Sequence, residues 1–371
     1  MKNKLLFVLV PLLLLIMIAL LFYFNQGNGV GEETIKIGVV LPLTGNHADQ
    51  GEASQNAIQL AVEKVNSQEG INGKKLEPIF ENSECEAQKA VTAINKLVNI
   101  DGVKFVIGDI CSSATLAIIP IAEENKVLLL NAGTTSSAVR DAGDYVFRFW
   151  FSGEAMGRMI AEKANEMGIK KVAIIYLNND FGDSLEKDFS QRFEELGGTV
   201  VSKQGVETTN NDFRTELTNA EEKEPDAYFL ALYQDTLLLA LKQMKELGIN
   251  KQVFTHGGIA GSALTLEGGQ EVLEGVLAAF AAESSQEFAK EFSTRFEKKP
   301  GVTADAAYDT VMVLAKVLRE KGTDVEQVKQ GLYNVKDYEG VSGKISVDSY
   351  GETNRPLAIY RIQNGAMVTV K

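Results

Sequence analysis

The chain has 371 residues, enough for two domains of ordinary size, and 45% hydrophobic residues with only 7 prolines make it globular rather than disordered. A formal net charge of −13 argues against nucleic acid and anionic membrane surfaces as partners. With 2 histidines and 2 cysteines, little material exists for general-base catalysis or a metal centre.

Residues 5–24 carry no charge and are dominated by Leu, Val and Ile. As a helix such a run reaches roughly 30 Å, the thickness of a bilayer core. Lys2 and Lys4 precede it, and Glu32 and Glu33 are the first charges after it, so the positive-inside rule leaves the body outside the cytoplasm. An uncleaved anchor and a cleaved signal both fit. The apolar core is longer than the roughly 7–15 residues usual for a signal, and its only small-x-small candidates are Gly27, Gly29 and Gly31. Lipoprotein processing is excluded because the first cysteine is Cys85. In an exported chain, the pair Cys85 and Cys111 suggests a disulfide; a metal site is the rival, poorly supplied with ligands by His47 and His256 alone.

After a Gly-rich linker, residues 25–31, strands alternate with helices. Strands are predicted over 35–41, 76–80, 105–107 and 127–130. Helices are predicted around Ile58, Ala61, Val62 and Val65, then over 87–99 and 112–124. The alternation restarts after Trp150, with helices over 152–167, 183–196, 213–222 and 236–247, and strands over 171–177, 199–202, 227–232 and 253–255. Strands apolar on both faces indicate parallel sheets covered on both sides, hence two α/β lobes. The tail reads as helices over 283–298, 305–321 and 325–332 with strands over 340–347 and 357–362. It completes the lobes if the chain crosses between them near Ser152, Ala281 and Tyr350.

The run from Val103 to Thr135 carries the chemistry. Twice, a short apolar strand ends in a loop of hydroxyls, Cys111-Ser112-Ser113 and Gly133-Thr134-Thr135, and the first of these leads into a helix. Unpaired N–H groups at a helix start favour an anion. No nucleophile with its base, phosphate loop or dinucleotide fingerprint accompanies the run. The expected activity is therefore binding of a small carboxylate, without catalysis and without a cofactor. Ser112 and Ser113 also suit plain helix caps, and Thr134 and Thr135 a ligand-free loop.

Across residues 34–370 the chain resembles the substrate-binding proteins of branched-chain amino acid ABC transporters, the leucine/isoleucine/valine type of the type 1 periplasmic-binding-protein fold. The resemblance rests on Ile35-Lys-Ile-Gly-Val-Val-Leu-Pro-Leu-Thr-Gly, Gly70-Ile-Asn-Gly-Lys, Cys85 through Thr135, Asp180-Phe-Gly-Asp-Ser-Leu and Ala306-Ala-Tyr-Asp, in this order and spacing. It implies an α/β fold of two doubly wound parallel-sheet lobes joined by a three-strand hinge, after an N-terminal transmembrane helix or signal segment. Residues 1–31 would form that segment and linker, 34–152 with 281–349 the first lobe, and 153–280 with 350–371 the second.

The resemblance also implies a disulfide between Cys85 and Cys111. It places Ser112 and Thr135 on the ligand carboxylate, the Gly133–Thr134 backbone on its amino group, and Tyr233 and Phe181 over it. Two departures matter. The family's glutamate for the α-amino group matches Gly258, and its aromatic before the first helix matches Gln50. Glu154 and Asp235 are candidate replacement acids, although both also suit helix first turns. His256, beside Gly257 and Gly258, and His47, in the first strand–helix loop, are further candidate contacts. Asp183 suits a helix cap and Trp150 a packing role.

The expected protein is an extracytoplasmic solute-binding protein that closes on an amino acid and delivers it to an ABC permease. The alternatives are a membrane-tethered sensing module, or a binder of amides, keto acids or aromatic acids.

Overall fold

The computed structural model describes residues 34–370, apart from the side chains of residues 259, 260 and 262. The apolar run at residues 5–24 lies outside the described residues. Among those described, no helix is long and apolar enough to cross a membrane.

The first sheet comprises β1 (Thr34–Leu41), β2 (Lys75–Asn82), β3 (Phe105–Gly108), β4 (Leu128–Asn131) and β5 (Val146–Arg148). Its order is β2-β1-β3-β4-β5, every pairing parallel. Both β3 and β4 are buried along their whole length, because helices cover the two faces. These are α1 (Ala48–Ser67), α2 (Ala87–Asn99) and α3 (Ser112–Glu124). Helical spacing decides what they bury: α1 turns Ile58, Ala61, Val62 and Val65 inward, and α2 turns Ala90, Ala93, Ile94 and Leu97 inward.

The second sheet begins with β6 (Lys171–Leu177), β7 (Thr199–Val206), β8 (Ala227–Ala231), β9 (Gln252–His256) and β10 (Leu277–Ala281). Its helices are α4 (Gly153–Glu166), α5 (Asp180–Glu195), α6 (Arg214–Glu221), α7 (Gln234–Glu246), α8 (Gly257–Ala263) and α9 (Gly269–Val272). The chain then returns toward the first sheet with α10 (Gln286–Phe296), α11 (Ala304–Lys321) and α12 (Val325–Tyr333), and α11 packs on α1. A hairpin of β11 (Tyr338–Gly340) and β12 (Gly343–Ile345) precedes the last pair, β13 (Leu357–Gln363) and β14 (Ala366–Val370). That pair joins the second sheet, whose order is β14-β13-β10-β9-β8-β6-β7.

Several elements differ from expectation. The second sheet is mixed rather than purely parallel, because β13 and β14 run antiparallel at its edge. Helix α5 starts at Asp180, and its cap is Asn179 rather than Asp183: the Asn179 side chain accepts the Gly182 N–H at 3.0 Å. The single strand expected over 340–347 is a hairpin. Asp309 accepts from the Val341 and Ser342 N–H groups, both at 2.8 Å, and so fixes the turn. Strand β7 runs four residues beyond Ser202. The sequence pattern missed β5, too short to show a period, the apolar β10, and β14, whose exposure marks it as an edge strand.

Where the chain passes between sheets, its segments lie against one another. The Arg148 N–H donates to Gly351 O at 2.8 Å and the Thr353 N–H to Arg148 O at 3.0 Å. The buried Arg148 guanidinium is ion-paired with Glu352.

Candidate functional site

The carboxyl ends of β3 and β4 set the floor of the site. Past β3, the loop Asp109–Cys111 leads into α3 with Cys111 as the cap residue, so the unpaired N–H groups of the first turn, beginning at Ser112, face outward from the strand end. A disulfide joins Cys111 to Cys85, which follows β2, with Cα atoms 5.4 Å apart. Asp109 is buried beneath this loop. One of its carboxylate oxygens accepts the Cys111 N–H at 2.7 Å, and burial pushes the carboxyl up to about 6 in spite of its hydrogen bonds.

The second loop is held by Asn131, the last residue of β4. Its Oδ1 accepts from the Gly133 N–H at 3.1 Å and the Thr134 N–H at 2.8 Å, and its Nδ2 donates to the Thr134 hydroxyl at 2.8 Å. The Thr134 and Thr115 hydroxyls are 2.6 Å apart. This buried arrangement locks the two loops together and leaves Thr135 at the surface of the floor. Glycine at 133 is required by the close approach: a Cβ there would lie 2.6 Å from the Ile110 Cβ.

A cavity of about 50 Å³ lies above this floor. Ser112, Gly133 and Thr135 line it from below, and Phe181, Tyr233, His256 and Gly258 from the second sheet. The rings of Phe181, in the first turn of α5, and Tyr233, the residue capping α7, stack at 5.3 Å. Asn179 Nδ2 donates to the Tyr233 hydroxyl at 3.1 Å, and burial pushes that phenol up to about 12. His47 meets Tyr233 edge-on at 4.5 Å, which closes the cleft on that side. His256, at the end of β9, sits among Phe151, Phe181 and Phe280, and burial pulls its imidazole down to about 4, so it is neutral at pH 7.

Of the residues singled out in the sequence, Gln50 and His47 also line the cavity, although Gln50 stands in the first turn of α1 rather than ahead of it. Four others do not line it. Ser113 lies half-buried in α3, and the Thr134 hydroxyl is spent on Asn131 and Thr115. Glu154 and Asp235 are exposed in the first turns of α4 and α7. Trp150, read as packing, has both roles: it lines the cavity while the Arg355 guanidinium lies 4.6 Å from its ring centroid. Ile110, Val302 and Thr303 are lining residues that no sequence pattern flagged. Among the described residues lining the cavity, none is Asp, Glu, Lys or Arg. The floor can take a carboxylate through hydroxyls and helix N–H groups, but no ionised acid stands ready for an ammonium.

A family model described as periplasmic binding protein matches residues 34–366. The leucine-, isoleucine-, valine-, threonine-, and alanine-binding protein of Pseudomonas aeruginosa is 27% identical over 349 residues, covering 91% of this chain and 92% of that protein. A leucine binding protein, LivK, from Thermotoga maritima superimposes with a TM-score of 0.85 at 26% identity, covering 91% of this chain and 98% of that one. The branched-chain amino acid transporter substrate binding protein LivJ from Streptococcus pneumoniae, solved in complex with isoleucine, does so with a TM-score of 0.81 at 26% identity, covering 91% and 100%.

Proposed function

From the chain's membership of the periplasmic binding protein family, we propose that it is the extracytoplasmic solute-binding protein of an ABC transporter, taking a small carboxylate-bearing ligand of the amino-acid class. The observation that carries the reading is the floor of Ser112, Thr135 and the start of α3, roofed by Phe181 and Tyr233 from the other sheet. The ligand's carboxylate sits on the hydroxyls and helix N–H groups, and the aromatic rings cover it. Contacts from both sides exist only when the lobes are together, so binding shifts the population from open to closed. The closed form docks on a membrane permease. The protein is a binder and not an enzyme. Residues 5–24 anchor it, or direct its export if they are cleaved. The first lobe comprises 34–152 with 281–349, and the second 153–280 with 350–371.

A second reading, acids without an amino group, is favoured by the lack of an ionised acid in the lining. Calorimetric titration of the full-length chain with amino acids and their keto acids tests both. Ser112→Ala and Thr135→Ala should each weaken binding by about 1.5–3 kcal/mol, the worth of one charge-assisted hydrogen bond. Unchanged affinity in both variants would sink the carboxylate placement.

A further inference from the structure

A groove of about 850 Å³ runs between the lobes and shares Gln50 and Val302 with the cavity. A site for a small organic ligand is usually about 300–1,000 Å³, so the groove has the expected size and the cavity alone is too small. Gly258 stands at the wall between them: a Cβ there would lie 2.9 Å from Val302 Cγ1 and 3.0 Å from Phe280 Cε2, and both of those residues line the groove. The cavity wall at Gly258 is therefore neutral, and the Val302 and Phe280 side chains packed on it are what separates it from the larger space.

We propose that the ligand is an amino acid substituted on its amino nitrogen, in the simplest form the C-terminal residue of a short peptide, whose remainder lies in this groove. The proposal rests on the carboxylate-binding reading above and narrows its substrate class. A free α-ammonium in the cavity would be desolvated beside the neutral His256 with no acid in the described lining, a cost of several kcal/mol. An amide N–H at the same position carries no charge and is satisfied by one acceptor, and Gly133, which lines the cavity, brings a backbone carbonyl to its wall.

The groove suits the rest of such a ligand. Phe280, Phe292 and Met367 offer apolar surface. Of its ionised groups, Lys298 is paired with Glu52 at 2.6 Å and Arg355 with Asp305 at 2.5 Å. Asp49 and Glu283 are exposed on the lining and face only Lys299 as a further cation there, a balance that favours a terminal ammonium over an anion.

The test is calorimetry on the full-length chain with free amino acids, their keto acids, their N-glycyl dipeptides, and those dipeptides with the carboxyl group amidated. The best dipeptide should bind on the order of tenfold or more tightly than its own free C-terminal amino acid, and amidation should abolish the binding. Ala289→Trp, which fills the groove away from the cavity, should weaken the dipeptide by about tenfold or more while the melting temperature stays within a few degrees. A free amino acid that binds as tightly as its dipeptide, or a dipeptide indifferent to Ala289→Trp, overturns the proposal and leaves the solute-binding reading standing. Silence from every compound overturns the reading of a ligand of the amino-acid class, on which the proposal rests, and the proposal with it.

Discussion

Two buried groups near the site titrate in opposite senses. Asp109 has a folded-state pKa of about 6, above the ordinary carboxylate value, so between about pH 4 and 6 the unfolded chain is ionised while the folded one keeps its proton. Its contribution to stability is lost as pH rises through that window. His256 has a folded-state pKa of about 4, below the ordinary imidazole value, so its contribution is lost as pH falls from about 6.5 toward 4. Asp109→Asn keeps the acceptor for the Cys111 N–H and removes the charge. The variant should gain stability over the parent progressively from pH 4 to pH 7, up to about 3 kcal/mol from a shift of roughly two units. Urea unfolding at four pH values measures this, and a difference independent of pH would show that Asp109 is not the buried ionisable group. Neither shift was legible in the sequence, because each depends on burial created by elements far apart in the chain.

The loops after β3 and β4 and the start of α5 are shaped by short-range chemistry with long-range partners. Asn179 caps α5 through the Gly182 N–H and also holds the Tyr233 hydroxyl. Asn179→Ala should therefore cost about 1–2 kcal/mol in chemical denaturation, with Asn179→Asp recovering the cap share. Ligand affinity weakened alike in Asn179→Ala and in Tyr233→Phe, which leaves the cap intact, would separate that second role from the first. The Cys85–Cys111 disulfide closes a loop with a sequence separation of 26 residues. Reduction, or Cys85→Ser, should lower stability by roughly 2–4 kcal/mol and weaken ligand binding through the adjoining Ser112 loop. Binding unaffected by reduction would mean that the Asn131 hydrogen bonds hold the floor unaided. The hydroxyl loops themselves were readable from Val103 to Thr135. Which hydroxyls face the cavity is not in the local pattern and came from the family resemblance, which singles out Ser112 and Thr135; Thr134 and Thr135 differ only in whether Asn131 and Thr115 capture the side chain.

At the scale of the molecule, closure has a built-in reporter. Trp150 is the only tryptophan and lines the cavity beside the first passage between sheets. Saturating ligand should change its emission and reduce the radius of gyration in solution scattering. An emission change without compaction would indicate direct contact with the ring and no lobe movement. The sequence by itself determined the α/β class, the two successive alternations of strand and helix, the cysteine pair and the hydroxyl loops. Each of these follows from local periodicity or from residues within one short segment. Only the tertiary structure decided that β13 and β14 close the second sheet antiparallel, that Val302 and Thr303 reach the cavity from a segment nearly 200 residues after its floor, and that Glu154 and Asp235 stay outside it. Those outcomes depend on where three separate passages of the chain bring distant surfaces together, and no local pattern encodes that meeting.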